Sequence, residues 1–376
     1  MDCLYMDHHS ATQVLPESLE SYVRGTKEYF ARSTALHFLG SQQSYSLQKS
    51  IESAALELGL SDEDEIFFTS SGQAALLEVF WSAYLIQGKE LGKTHILIPE
   101  TEELSFHLLC NRFEKLGCSF KFIPVNSKGQ VTKEALEKCI TPRTALVSLS
   151  WANGLTSTFH PIADLAEVCK EKGALFHVDA SYAYGKTFFR FQDLEVDYLT
   201  LDGSSLHSAA PLGLCVVRPG LMEERLMDVS PIESTAAVAS FVFCLQHLQE
   251  KFESYCMEVG RLRDRFEQRI IDRCEGVRSL FQKADRLPSC SVLSFPSMCA
   301  ESLLFLLNSK GLYANLGGDK FLMLSDALLS CGVDLKHARG SLLFTFSYRI
   351  QEKDIDAAVE IITECFFQLK KCLGDL

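Results

Sequence analysis

Two apolar runs end in carboxylates, at Asp179 in ALFHVD and at Asp202 in YLTLD, and Ser204, Ser205 and His207 follow the second. A serine near a histidine invites a nucleophile reading. No base is placed beside Ser204 or Ser205, however, and the Gly-x-Ser-x-Gly pattern is absent, so a polar turn is the stronger reading. Upstream, IFFTSSGQAA gives a strand, a turn of small residues and a helix start, a geometry that suits an anion. The pair His8-His9 has no matching set of ligands and makes no metal site. The 14 cysteines never fall two or three residues apart, so no Cys-x-x-Cys metal or redox pair exists. Cys215 in LGLCVV and Cys244 in FVFCLQ lie in apolar runs, where a free thiol behaves as a small hydrophobe. They are expected to be reduced core thiols.

The elements that position these residues alternate regularly. Residues 1–15 form a short arm with a possible strand at Leu4-Tyr5-Met6, and Pro16 opens a helical segment. Leu47, Ile51, Ala54, Ala55 and Leu58 recur at helix spacing. Strands are expected at 66–69, 95–98, 120–125, 145–149, 175–178, 198–201 and 214–217. Helices fall between most of them, at 73–85, 104–116, 132–139 and around 162–169. This alternation predicts a mostly parallel, doubly wound α/β sheet with ligands beyond the carboxyl ends of its strands. Residues 234–274 read as one or two long helices. A smaller α+β unit follows, with strands near 292–295 and 342–346 and helices near 301–308 and 354–372. The expected division is a large α/β domain over 16–257 and a small α+β domain from 1–15 with 258–376.

Composition is that of an ordinary globular protein, with 376 residues, 47% hydrophobic and 23% charged. A net charge of −13 with no Lys/Arg-rich block excludes the basic surface that nucleic acid or an anionic membrane requires. The longest apolar run, near Ala236 to Leu245, is too short to span a bilayer. The opening MDCLYMDHHS lacks the basic and apolar character of a signal peptide, so a cytoplasmic location is expected.

Taken in order, these segments resemble the class V aminotransferases, fold-type I pyridoxal phosphate enzymes, and among them the cysteine desulfurases. LYMDHHSAT is similar to their LDNNATT opening, and FARSTALHFLG to FGNPSSxHxxG, with His37 in step. IFFTSSGQAA is similar to FTSGGTEAN, and HILIPETEE to the strand ending in Thr-Glu-His. VSLSWANG, HVDASYAYGK and TLDGSSLHSAAPLG continue the match as the asparagine loop, HVDAxQAxGK and SLSGHKxHGPKG. The resemblance implies an aspartate aminotransferase-like fold, a homodimer and pyridoxal phosphate. It places Asp179 against the pyridine nitrogen, Asn153 near the ring hydroxyl and His207 just past the Schiff-base lysine. A carboxylate at the first of these positions makes the ring an electron sink.

The resemblance also shows replacements. Ser205 stands where the family has its lysine and has no amine to hold the aldehyde. Glu103 replaces the stacking histidine and Tyr182 the glutamine near the ring hydroxyl. Among phosphate ligands, Gln73, Asp202, Ser204 and Ile232 replace a threonine, a serine, a histidine and the partner subunit's threonine. A carboxylate about 4 Å from a phosphate costs roughly 4 kcal/mol per pair of unit charges at an effective dielectric near 20. The loop Gly317-Gly318-Asp319-Lys320 has lysine in place of the nucleophilic cysteine, and Leu343 replaces the carboxylate-gripping arginine.

The reading is therefore a desulfurase-like protein that has lost lysine-based catalysis, with no catalytic residue and no metal. It would hold no cofactor and act as a dimeric binding or regulatory protein, with a possible protein partner. The alternative is a transferase or lyase of altered chemistry that uses a displaced lysine, such as Lys320 or Lys186. Glu103, Asp179 and Asp202 are expected to share the old cofactor cavity, where crowding would raise at least one pKa or recruit a cation.

Overall fold

A computed structural model describes residues 3–222, 225–226, 234–318 and 322–374. The N-terminal arm supplies β1 (Leu4–Tyr5), followed by α1 (Pro16–Glu28) and α2 (Phe38–Leu58). The alternating half then runs β2 (Glu65–Thr69), α3 (Gly72–Ala83), β3 (His95–Pro99), α4 (Leu104–Glu114) and β4 (Ser119–Ile123). It continues through α5 (Lys133–Cys139), β5 (Thr144–Ser150), α6 (Ile162–Lys172), β6 (Leu175–Asp179), β7 (Tyr198–Asp202) and β8 (Gly213–Val217).

These strands form one seven-stranded sheet in the order β2-β8-β7-β6-β5-β3-β4. Only β8 runs against its neighbours, pairing antiparallel with both β2 and β7. The central strands β5 and β8 are buried along their whole length, as strands covered on both faces must be. The edge strands β2 and β4 keep exposed charges at Glu65 and Lys121, which protect an open sheet edge. Gly173 closes α6 with φ 62°, a left-handed cap that lets the chain turn straight into β6.

The helical stretch after the sheet is two helices, α7 (Thr235–Glu250) and α8 (Gly260–Arg273), joined by a wider-wound segment at 254–259. Beyond it lie β9 (Arg278–Leu280), β10 (Cys290–Ser294), α9 (Ala300–Ser309), β11 (Leu312–Tyr313), α10 (Leu324–Ser330), α11 (Leu335–Ala338), β12 (Ser341–Thr345) and α12 (Glu352–Gly374). An antiparallel sheet β12-β10-β9 forms here, and β1 from the arm adds in parallel to β11. The short elements β9, β11, α10 and α11 carry too few residues to show a period, which is why pattern reading passes over them. Among the described residues, no helix is long and apolar enough to cross a membrane.

Candidate functional site

The carboxyl ends of β6 and β7 meet the N-terminus of α3, and each contributes a polar side chain to one cleft. Gly72, Glu103, Asp179, Ser181, Asp202 and Ser205 are among the residues lining it. Its cavity volume is about 20 Å³, room for one water-sized group. All three carboxylates expected to share a cavity therefore do share one.

Asp179 is fixed by two hydrogen bonds. Its Oδ1 accepts from the Ser181 N–H at 2.9 Å and its Oδ2 from the Thr200 hydroxyl at 2.8 Å. With its proton committed to Asp179, Thr200 Oγ1 accepts from His177 Nε2 at 2.9 Å. His177 Nδ1 then accepts from the Ser148 hydroxyl at 2.7 Å. Burial pushes the imidazole down to about 3, so it stays neutral and the tautomer follows from the chain of donors. Burial raises the Asp179 pKa; the Ser181 and Thr200 hydrogen bonds pull it down, and the Asp202 charge adds to the rise.

Asp202 caps the tight turn at 203–205, accepting from the Ser204 N–H at 2.9 Å, while its own N–H donates to Ser181 Oγ at 2.8 Å. This geometry lays the carboxyl over the first residue of α3. A Cβ built on Gly72 would lie 2.5 Å from the Asp202 Cβ and 2.7 Å from its Cγ. Glu103 precedes α4 and takes a 2.7 Å hydrogen bond from the Tyr182 hydroxyl. The Tyr182 ring in turn lies 4.5 Å from that of His9.

Beside them is Glu102, a carboxyl that sequence reading missed. It is fully buried, with Oε1 accepting from the Ser150 N–H and Oε2 from the Ser150 hydroxyl, both at 2.8 Å. Burial pushes it up to about 8, against the Ser150 hydrogen bonds and with help from Glu103 and Asp179. The available signal was its place beside Glu103 at the end of β3. His177 and Thr200 were also missed, because single polar residues inside apolar strands read as core.

Asn153 and His207 are placed apart from the cleft lining. Asn153 knits its own loop: Nδ2 donates to the Thr101 carbonyl at 2.8 Å, and Oδ1 accepts from the N–H groups of Leu155 and Thr156. His207 adopts φ 63° and ties down the arm. Its N–H donates to Thr12 Oγ1 at 2.8 Å and its Nδ1 to the Gln13 carbonyl at 2.7 Å. Leu343 is buried on β12 opposite Val292. Ile232, Asp319 and Lys320 lie outside the described residues.

Related proteins share this architecture. The chain is 28% identical over 381 residues to a cysteine desulfurase of Nostoc sp. (strain PCC 7120 / SAG 25.82 / UTEX 2576), covering 98% of this chain and 94% of the relative. It is 26% identical over 378 residues to the cysteine desulfurase NifS of Azotobacter vinelandii, covering 98% and 93%. The solved structure of a NifS-like protein superposes with a TM-score of 0.87 at 24% identity, covering 96% of this chain and 99% of that one. A second NifS-like structure, from Rickettsia africae ESF-5, gives a TM-score of 0.85 at 20% identity, covering 97% and 99%.

These comparisons correct one expectation. Similarity to cysteine desulfurases over almost the whole chain overturns the reading that no cofactor is held, since the family it resembles is one of pyridoxal phosphate enzymes. The residues present fit that group at one end only. Asp179, held at a strand terminus, suits a protonated ring nitrogen. Ser205 offers no amine to the aldehyde, and the Asp202 carboxyl over Gly72 opposes a phosphate. The family model for aminotransferase class-V matches residues 4–254. With the sequence, the fold and the strand-end carboxylate in agreement, the chain belongs to the class V aminotransferase family.

Proposed function

We propose that this chain keeps the class V fold but has given up lysine-based catalysis, and that it acts as a homodimeric binding or regulatory protein of the cell interior. The observation that carries the reading is Ser205. It occupies the turn after β7 where the resemblance puts the lysine, and among the described residues no lysine lines the cleft. Asp202 supports it further, since its side chain lies against Gly72 at the start of α3, where a carboxylate opposes a phosphate.

Exposed apolar side chains support a self-associating surface. Val14, Leu19, Val23, Phe30, Phe38 and Tyr45 stand out on the arm and the first two helices. Such a concentration on one end of a chain marks an interaction surface. A further protein partner would use the same kind of surface.

One specific observation favours the second reading, a transferase or lyase with a displaced lysine. Burial lowers Lys186 to about 8, so a good part of it is a neutral amine near physiological pH. Its Nζ, however, donates to the Tyr182 carbonyl at 3.1 Å and sits 5.4 Å from the Tyr255 ring centre. The test is the visible spectrum of protein purified with pyridoxal phosphate, before and after borohydride, with peptide mapping. The first reading expects no reducible adduct. An adduct on a mapped lysine overturns it, and its loss in Lys186→Ala identifies the second. Light scattering checks the dimer.

A further inference from the structure

We propose that the pocket between the end of α1 and the start of α2 is completed by a second copy of this chain, whose Arg32 guanidinium donates to the buried amide oxygen of Gln43. The inference rests on the homodimer of the functional reading and deepens it by naming the groups that meet.

The pocket is a cavity of about 320 Å³, with Glu28, Tyr29, Phe30, Leu39, Gln43 and Tyr45 in its lining. Gln43 is only 3% exposed, and its Oε1 has no hydrogen-bond partner among the described residues. A buried acceptor left bare destabilises a chain until a donor reaches it. The rest of the lining calls for a donor that carries positive charge. Aromatic rings attract a cation to their faces, and Tyr29, Phe30 and Tyr45 all line the pocket. Glu28 adds a carboxylate, and among the described residues no lysine, arginine or histidine lines the pocket to balance it.

The surroundings point to protein as the occupant. Phe30, Leu36 and Phe38 are largely exposed on the same short stretch of chain that carries the pocket. Apolar side chains gathered about a polar hollow are the makings of an interface. A two-fold contact sets one patch against its own copy, so the donor comes from the same stretch. Arg32 meets that requirement. It is exposed on the loop between α1 and α2, pairs with no acid among the described residues, and does not line the pocket of its own chain. Its planar fork can reach an amide oxygen and a carboxylate together. The loop presents it from a fixed backbone. The Ala35 N–H donates to the Arg32 carbonyl at 3.1 Å, and a Cβ built on Gly40 would lie 2.1 Å from the Ala35 carbonyl oxygen. No covalent step is involved.

The test is sedimentation equilibrium of the full-length protein over a dilution series, which gives the dimer dissociation constant. Arg32→Ala and Gln43→Leu should each raise it about tenfold or more. Because each removes one end of the same contact, the double variant should dissociate no more readily than the weaker single variant. Arg32→Lys, which keeps the charge without the fork, should recover part of the loss. Lys336→Ala, on α11, should leave the constant unchanged. Arg32 is exposed, so its substitution tests the contact even if Gln43→Leu fails to fold. A dimer as tight in Arg32→Ala as in the wild type overturns the proposal, as do single losses that add in full; either result leaves the homodimer of the functional reading standing. A wild-type protein that stays monomeric at every concentration sinks both. Butylguanidinium chloride, titrated calorimetrically, reads the remaining occupant: saturable binding to a monomeric wild type would assign the pocket to a free ligand and overturn the second copy.

Discussion

The Asp202 side chain rests directly on Gly72, so that a single methyl group at residue 72 would lie 2.5 Å from the Asp202 Cβ. One residue closes β7 and the other opens α3, and their contact sets the Asp202 carboxyl beside the start of that helix.

This contact makes Gly72→Ala a probe of Asp202. Overpacking of this kind costs about 1–3 kcal/mol. Asp202→Gly alone, which removes the Cβ that a residue-72 methyl would meet together with the acceptor for the Ser204 N–H, should cost about 1 kcal/mol. If the two side chains meet as described, the double variant should be more stable than the sum of the single costs. Chemical denaturation of all four proteins measures that coupling. Strict additivity would show that residue 72 has room without Asp202 moving.

Ser205→Lys tests how far the site lies from covalent capture of pyridoxal phosphate. The single substitution should trap little cofactor with borohydride, because Asp202 still opposes the phosphate. Adding Asp202→Ser and Ser204→His rebuilds the turn that the resemblance describes and should strengthen capture at least about tenfold. Mass spectrometry after reduction gives the yield. Equal capture by the single and triple variants would show that Asp202 is no obstacle.

Glu102 gives a pH dependence with a defined sign. Its folded pKa, about 8, is above the ordinary value of 4.5. The carboxyl therefore contributes stability that is fully present below pH 4.5 and is lost as pH rises from there to about 8. The slope is about 1.4 kcal/mol per pH unit for one proton. Buried histidines act in the opposite sense: His177 and His160, pushed down by burial to about 3 and about 4, destabilise the fold as pH falls below 6.5. Glu102→Gln removes the first effect and leaves the second. Denaturation midpoints at pH 5 and pH 8 should differ less in the variant than in the wild type. An unchanged difference would mean that Glu102 is ionised throughout.

Legibility in the sequence followed the physics of each element. Strands such as HVD and YLTLD announce themselves because a strand buried on both faces must be apolar along its length, and their terminal carboxylates then fall at the sheet's end. The two apolar runs alone therefore put Asp179 and Asp202 at the same end of the sheet. What the sequence hid depended on tertiary contact. The chain Ser148–His177–Thr200–Asp179 joins three neighbouring strands through residues that look like scattered polar substitutions in core strands. Asn153 and His207 show the same limit. The resemblance placed Asn153 near the ring hydroxyl and His207 just past the lysine position, while the hydrogen bonds they make to the backbone of Thr101, Leu155, Thr156 and Gln13 could not be read from the sequence. The antiparallel β8 was equally invisible, since strand direction leaves no mark on a run of five apolar residues.

The last prediction concerns the junction between α8 and the loop after β5. Arg286 pairs with Glu267 through two hydrogen bonds, at 2.7 and 3.0 Å, and Gln282 adds a third at 3.1 Å. Both charged side chains are almost wholly buried, at 6% and 2% exposure. Burial raises the Glu267 pKa, but the Arg286 hydrogen bonds and charge outweigh it and hold the carboxyl below its usual range. The same arginine bridges by its backbone to Thr158, so the pair fastens α8 to that loop of the large sheet. Removing one partner strands the other in a dry interior. Arg286→Ala should cost about 3–5 kcal/mol, whereas Arg286→Met with Glu267→Leu, which replaces both charges by apolar volume, should recover most of it. Thermal and denaturant unfolding of the two variants decide the matter. A loss below about 1 kcal/mol in Arg286→Ala would show that water reaches the pair and that its burial contributes little to holding the junction.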